Sequence, residues 1–125
     1  MKKLFALIST IIMFSLSAGA TNWVQKTEDW AVDMDTIKYD GDVAKVYIRT
    51  DATVNPSVNI KTPNVKWVYR LESFEKDTNY HLTLNEILYD ADMQIIENTM
   101  NPYGFAPQTF DDNSSLRVIR DVLFK

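Results

Sequence analysis

The sequence predicts an α+β domain, an antiparallel sheet of about five strands with one C-terminal helix packed on it. Three observations support this class. Apolar and polar residues alternate in several segments between residues 30 and 100, which is the period of a strand with one buried face. Turn residues such as glycine and paired aspartates separate these segments. The last ten residues instead repeat their apolar side chains with the period of an α-helix.

Residues 1–20 are a predicted signal peptide, so a single domain is expected to span residues 21–125. Lys2 and Lys3 precede an apolar stretch over residues 4–16, and small residues follow at 18–20. A basic end, an apolar core and a small-residue cleavage site are the parts of a secretory signal. The apolar stretch is shorter than the roughly 20 residues of a membrane-spanning helix. The sequence therefore predicts a periplasmic or secreted protein with no membrane span in the mature chain.

The first two strands are predicted between residues 30 and 50, on either side of a turn at residues 39–42. After the turn, one face carries Ala44, Val46, Ile48 and Thr50, and the other carries Val43, Lys45, Tyr47 and Arg49. Tyr47 is thus expected on the wetter face, between two cations. Residues 51–64 hold two prolines and several small polar residues, so they are predicted to form a long surface loop.

Two further strands, residues 65–76 and 80–89, are predicted to pair as a hairpin, and a short last strand is predicted over residues 93–100. In the first of these strands Trp67 and Tyr69 are expected to point into the core. In the second, His81 is expected to be an exposed strand residue. An uncovered edge of the sheet would favour a homodimer, because it can pair with a second copy of the chain.

The chain closes with a predicted helix that Asn113 or Ser114 can cap. At about 100° per residue, one side of this helix carries five apolar residues, Leu116, Val118, Ile119, Val122 and Leu123. So short a helix is marginal in isolation. It is therefore expected to pack against the sheet.

Composition and charge narrow the functional classes. The 125 residues include no cysteine and carry 17 acidic and 13 basic side chains, a net charge of −4. Cleavage after residue 20 would remove two lysines and leave 105 residues with 11 basic side chains and a net charge of −6. The basic residues are dispersed, whereas phosphate binding needs a basic stripe, so no nucleic acid partner is expected.

Residues that could carry chemistry are few. Gly41 and Gly104 are the two glycines after residue 20, too few for a phosphate-binding loop, so no cofactor is expected. His81 has no cysteine and no second histidine with which to complete a zinc shell. Acidic pairs such as Asp90 and Asp92 are interpreted as turn formers, because the loops read from them lack the glycine of a calcium loop. We therefore predict no catalytic residue and no metal site.

The aromatic residues are the remaining functional signal. Three tryptophans and six tyrosines are many for a chain of this length, and aromatics are enriched both in sheet cores and at interaction surfaces. Lys45, Tyr47 and Arg49 share one predicted strand face. We predict that these three residues form a binding site for a protein partner.

Three stretches together resemble the surface-adhesin protein E-like family of exported bacterial domains. The first, WAVDMDTIKYDGDVAKVYIRTD, covers residues 30–51 and matches the family's pattern at Asp35, Thr36, Ile37, Gly41 and Tyr47. The second covers residues 67–90, and the third is the polar turn and closing helix over residues 111–124. The resemblance implies a sheet-plus-helix fold and binding of host extracellular proteins, sometimes as dimers.

The chain departs from that family in its cysteines. Family members carry one directly after a Tyr-Asp step, where this chain has Ala91 after Tyr89 and Asp90, and a second near the C-terminus. With no cysteine at either place, this chain cannot form the bridge of those family members. Apolar burial of Phe124 is expected to hold the closing helix instead.

Three functions follow from these observations. The first is an exported, non-enzymatic interaction domain, an adhesin-like protein that binds extracellular or envelope proteins. The second is a periplasmic small-ligand-binding or envelope-stress protein, which would need a concave pocket lined by aromatics such as Trp30 or Trp67. The third is a hydrolase, which would need His81 clustered with two acids in a cleft.

Overall fold

The computed structural model describes residues 22–55, 58, 60–101 and 108–125. The predicted signal peptide lies outside these residues, as do residues 56, 57 and 59 of the predicted loop. Within the described residues the chain forms an eight-stranded antiparallel sheet and one C-terminal helix. The predicted α+β class is confirmed, but the sheet is larger than the five strands expected.

The elements are β1 (Trp23–Gln25), β2 (Ala31–Asp33), β3 (Lys38–Asp40), β4 (Val43–Asp51), β5 (Trp67–Glu75), β6 (Tyr80–Tyr89), β7 (Ile95–Met100), β8 (Gln108–Thr109) and α1 (Ser115–Leu123). Neighbouring strands follow the order β1-β2-β4-β5-β6-β7. The two remaining strands lie off this path, β3 beside β4 and β8 beside β6.

The additional strands are short. The single strand predicted before residue 39 is divided into β2 and β3 by one 3-10 turn, Met34–Thr36. This turn starts at Asp33, whose carboxylate accepts a 3.1 Å hydrogen bond from the backbone nitrogen of Asp35. Strands of two or three residues, such as β1 and β8, are too short to show a period, so the sequence pattern does not reveal them.

The long strands β4 and β5 determine which side of the sheet is buried. They pair in nine consecutive positions, from Val43 opposite Glu75 to Asp51 opposite Trp67. The alternation predicted for β4 is confirmed, and its buried face carries Ala44, Val46, Ile48 and Thr50. Val68 and Phe74 of β5 lie opposite Thr50 and Ala44, so they join the same core.

The expectation that Trp67 and Tyr69 point into the core is wrong. The nine-position register places them opposite Asp51 and Arg49, on the face away from the helix, where both are half-buried. The predicted grouping of side chains on β5 is right, but its inner and outer faces are exchanged. Alternating aromatic residues look the same in the sequence whether they face the core or the other side of the sheet. The register with the partner strand determines which side is buried.

Charged residues of β5 consequently face inward and pair there. Arg70 Nε donates to Glu86 Oε2 at 2.7 Å, and Nδ1 of His81 lies 2.7 Å from Oε1 of Glu72. Thr83 also donates to Glu72. Buried polar groups are tolerated when each finds a partner, and these do.

The expectation that His81 is exposed is also wrong, because its side chain is only 8% exposed. The ladder between β5 and β6 shifts between Leu71 and Glu72, and Leu84 has no residue opposite it. Such a bulge changes which residues of β6 point inward, so a strict alternation read from the sequence fails beyond it. His81 therefore packs against the rings of Phe74 and Phe110, which also contact each other.

The helix α1 packs on the core face, as predicted. The side chain of Ser114 caps it by accepting a 3.4 Å hydrogen bond from the backbone nitrogen of Arg117. Ile119 and Leu123 are buried in the core, and Phe124 packs against it. Val118 is 45% exposed, so its expected place on the packed side is wrong. A helix of about two turns contacts the sheet through a narrow strip of its surface. That strip is narrower than the apolar side of α1, so Val118 remains outside it.

β7 is an edge strand, and all six of its residues are exposed. The predicted last strand is thus present, beginning at Ile95. The preceding turn forms around Asp90, whose carboxylate accepts hydrogen bonds from the backbone nitrogens of Asp92 and Gln94. In the described part of the chain, no helix has the length and apolar character needed to cross a bilayer.

Neighbouring positions of α1 provide a direct test of this packing. We expect Ile119→Ala to lower the free energy of unfolding by about 2–5 kcal/mol, because it leaves a cavity in a fully buried site. Val118→Ala is the matched control and should change that free energy by less than about 0.5 kcal/mol. Urea denaturation followed by circular dichroism measures both. Equal losses in the two variants would contradict the docking of α1 described here.

Candidate functional site

The face of the sheet opposite α1 carries a cluster of aromatic and basic side chains. We call it the open face. Its basic, aromatic and aliphatic members are Trp23, Lys38, Lys45, Tyr47, Arg49, Trp67, Tyr69, Leu71, Ile87 and Tyr89, and the same registers place three acidic residues, Asp40, Asp51 and Glu75, on that side. The ladder register puts these residues on one side, since they lie opposite one another or alternate with buried positions. Most are half-buried, and Lys38 and Lys45 are exposed.

Arg49 lies at the centre of the open face against three aromatic rings. Its guanidinium carbon Cζ is 4.5 Å from the ring centroid of Trp23 and 5.2 Å from that of Trp67. Tyr69 supplies a third ring at 5.9 Å, and its hydroxyl accepts a 3.1 Å hydrogen bond from Arg49 Nη1. Each cation–π contact at a partly exposed site contributes about 0.5–1 kcal/mol. Together they fix the guanidinium over the sheet.

Tyrosine hydroxyls flank this cluster. The rings of Tyr69 and Tyr89 lie 4.7 Å apart, and the hydroxyl of Tyr47 accepts a 3.1 Å hydrogen bond from Asn85 Nδ2. Burial raises the pKa of the Tyr89 hydroxyl above its usual value, and the neighbouring Tyr69 and Tyr47 add to the rise. Tyr89 therefore remains a neutral hydroxyl at physiological pH.

The cations of the open face lack carboxylate partners. Elsewhere, ion pairs neutralise Lys66, Arg70, Arg117 and Arg120, whereas the other described cations, Lys26, Lys61, Lys76 and Lys125, have none. Among the residues that the structure describes, no carboxylate lies at ion-pair distance from Lys38, Lys45 or Arg49. Lys38 and Lys45 are moreover directly opposite each other in the β3–β4 ladder. Like charges in this arrangement destabilise a sheet, so the fold gains nothing from the pair.

A groove of about 220 Å³ adjoins the open face. It is lined by Gln25, Glu28, Asp29, Ala31, Arg49, Thr50, Asp51, Val54 and Trp67. Burial pushes the pKa of Asp51 up, but hydrogen bonds from Lys66 and Thr53 outweigh it and hold that pKa below its usual value. Trp30, the other aromatic expected in a ligand pocket, is 5% exposed and packs in the core.

The remaining candidate groups are placed in the core or in turns. His81 meets one carboxylate, Glu72, and both side chains are more than nine-tenths buried. This pair lies in the core and not in a cleft. Across the described ranges, no three histidine, cysteine, aspartate or glutamate side chains come close enough to hold a metal ion.

The structure brings together the three residues predicted as a site. Lys45, Tyr47 and Arg49 project from one face of β4. Sequence reasoning missed two neighbours, Trp23 and Lys38. Lys38 could have been found by counting outward from the two-residue turn at Gly41 and Asp42, which pairs it with Lys45, whereas β1 leaves no such signal for Trp23.

Comparison with family models, with curated proteins and with solved structures returned no match to this chain. The resemblance to the surface-adhesin protein E-like family therefore stays a prediction.

The opposed lysines of the open face give a stability test. We expect Lys38→Glu to raise the free energy of unfolding by about 0.2–1 kcal/mol, because it replaces a like-charge pair with an opposite-charge pair across the ladder. The gain should shrink in 1 M NaCl, where charges are screened within about 3 Å. Urea denaturation at low and high salt measures the effect. Lys61→Glu, at an exposed loop position, is the control and should show no comparable gain. A destabilised Lys38→Glu variant would contradict the register given for β3 and β4.

Proposed function

We propose that this protein is an exported, non-enzymatic interaction domain that binds another protein of the envelope or the extracellular space through the open face. The arrangement of Arg49 among the rings of Trp23, Trp67 and Tyr69 carries this proposal. The predicted signal peptide supports a periplasmic or secreted location. The predicted resemblance to adhesin domains supports a protein as the partner.

Aromatic and arginine side chains favour protein recognition for a physical reason. Tryptophan, tyrosine and arginine are the residue types most enriched at binding hot spots, since each offers a large contact area together with a polar end. The open face holds all three types on a rigid sheet. Holding them in place before binding lowers the entropy lost on association.

A second candidate is binding of a small ligand in the groove beside Arg49 and Trp67, as in a periplasmic ligand-binding or envelope-stress protein. The groove contains an aromatic ring, one cation and several carboxylates, which suits a small polar molecule. Its volume is below the roughly 300–1,000 Å³ of most ligand pockets. Lys45 and Tyr47 do not line the groove, so their substitution separates the two candidates.

Cross-linking from the open face identifies the partner. A photo-reactive amino acid at Glu75, an exposed residue at the end of β5 on the side of the open face, should give a cross-linked product with an envelope or matrix protein. The same group at Val118 on the outer side of α1 is the control and should not give that product. The captured protein is then purified so that its affinity for the chain can be measured by calorimetry.

Alanine substitution of the three predicted site residues tests the proposed face. We expect the triple variant Lys45→Ala, Tyr47→Ala, Arg49→Ala to bind the purified partner at least about 30-fold more weakly, which corresponds to about 2 kcal/mol for a hot spot. Val118→Ala should bind as the unchanged chain does. Unaltered affinity in a folded triple variant would remove the open face as the binding site. Loss of affinity from Arg49→Ala alone, with Lys45→Ala and Tyr47→Ala neutral, would favour the groove.

A further inference from the structure

We propose that the open face binds an acidic, extended segment of its partner, with carboxylates of that segment on Arg49 and on the Lys38–Lys45 pair. This inference rests on the proposed function and adds the chemistry of the partner. Four features of the described residues support it.

The first feature is charge. The acidic side chains on this side, Asp40, Asp51 and Glu75, are each the last residue of a strand. Between them, three cations have no carboxylate at ion-pair distance among the described residues. Two of them, Lys38 and Lys45, oppose each other in the ladder. An incoming carboxylate would reduce the repulsion between the two lysines, and this reduction would favour its binding.

The second feature is that the polar groups of the open face can donate hydrogen bonds. Tyr47 and Tyr69 each accept a hydrogen bond from a residue of the sheet, Asn85 and Arg49 respectively. A hydroxyl that accepts one bond still has its own proton to donate. Lysine and arginine have donors and no acceptor. Between Lys45 and Arg49, the side chains of the open face thus present donors, which favours a partner rich in acceptors.

The third feature is the fixed position of Arg49. The contacts with Trp23 and Trp67 hold the guanidinium against the rings, so little side-chain entropy remains to be lost when a ligand binds. A guanidinium presents parallel N–H groups that match the two oxygens of a carboxylate. An ammonium group at this position would not provide that match.

The fourth feature is spacing. Lys45 and Arg49 are four residues apart on one face of a strand, which separates them by roughly 13 Å at about 3.3 Å per residue. Two carboxylates four residues apart in an extended segment have the same separation and project to the same side. The apolar rings beside them suit the intervening side chains of a peptide. A long polyanion is disfavoured, because the acidic remainder of the protein repels it.

Synthetic peptides test this chemistry. The probe is an end-blocked peptide containing Glu-Val-Tyr-Val-Glu, and one control replaces both glutamates with glutamine. A second control moves one glutamate by a single position, which turns it to the other side of an extended chain. Each peptide is titrated to 5 mM into the ¹⁵N-labelled mature chain while the three tryptophan indole N–H signals are followed by NMR.

The three tryptophans supply an internal control. Trp23 and Trp67 lie on the open face, whereas Trp30 is buried in the core. We expect the probe to shift the indole signals of Trp23 and Trp67 and to leave that of Trp30 in place. The glutamine peptide should bind at least tenfold more weakly, and the displaced-glutamate peptide should bind more weakly than the probe. Absence of these shifts at 5 mM, or equal binding of the glutamine peptide, would overturn the inference.

Charge variants complete the test. Arg49→Gln and Lys45→Gln should each weaken probe binding at least fivefold, and Arg49→Lys should restore part of the loss. Lys125→Gln removes one charge beyond α1, on the other side of the sheet, and should bind within twofold of the unchanged chain. Near-ultraviolet circular dichroism verifies each fold. If Arg49→Gln perturbs the aromatic cluster, exposed Lys45 still decides the outcome, and unchanged binding of Lys45→Gln counts against the inference.

Two further outcomes separate this inference from the proposed function. Suppose that the cross-linked partner binds through the open face and that Arg49→Gln and Lys45→Gln bind it as well as the unchanged chain does. The proposed function then stands and the acidic segment is wrong. A heparin oligosaccharide that shifts the same two indole signals at lower concentration than the peptide would also overturn the inference, in favour of a polysaccharide.

Discussion

The nine-position pairing of β4 with β5 is the interaction on which the rest of the structure depends. β4 has one apolar face, and that face is buried in the core that Ile119 and Leu123 of α1 help to form. The register then assigns every side chain of β5 to a side. Arg70 and Glu72 go inward and Trp67 and Tyr69 go outward. The open face is thus a consequence of burying β4.

Pointing polar side chains of β5 toward the core costs desolvation free energy. Their hydrogen bonds to β6 offset that cost. One ion pair, Arg70 with Glu86, and one hydrogen-bonded pair, Glu72 with His81, lie on the core side of the sheet. Replacing such pairs with apolar residues often leaves a protein equally stable, but removing one partner alone is costly. Both pairs favour the observed register, since a slip of β5 against β6 would separate their partners.

The sequence reveals some parts of this fold and conceals others for physical reasons. The alternation in β4 and the cap and period of α1 depend on local patterns, and both are present at the predicted places. The orientation of β5 depends on a distant strand, and the position of His81 depends on a bulge, so neither has a local signal. Lys45, Tyr47 and Arg49 share a face by simple alternation. Trp23 joins them through β1, a contact that only the three-dimensional structure reveals.

The exposure of β7 has a consequence for how the sheet moves. Its six exposed residues bury little apolar surface, so mainly the backbone ladder to β6 keeps it in place. Local separation of β7 therefore requires much less free energy than global unfolding, and its amides will exchange with solvent well before those of β4 and β5. Each such opening uncovers the backbone of β6 beside Ile87 and Tyr89. Such an opening changes the edge of the sheet and leaves its core intact.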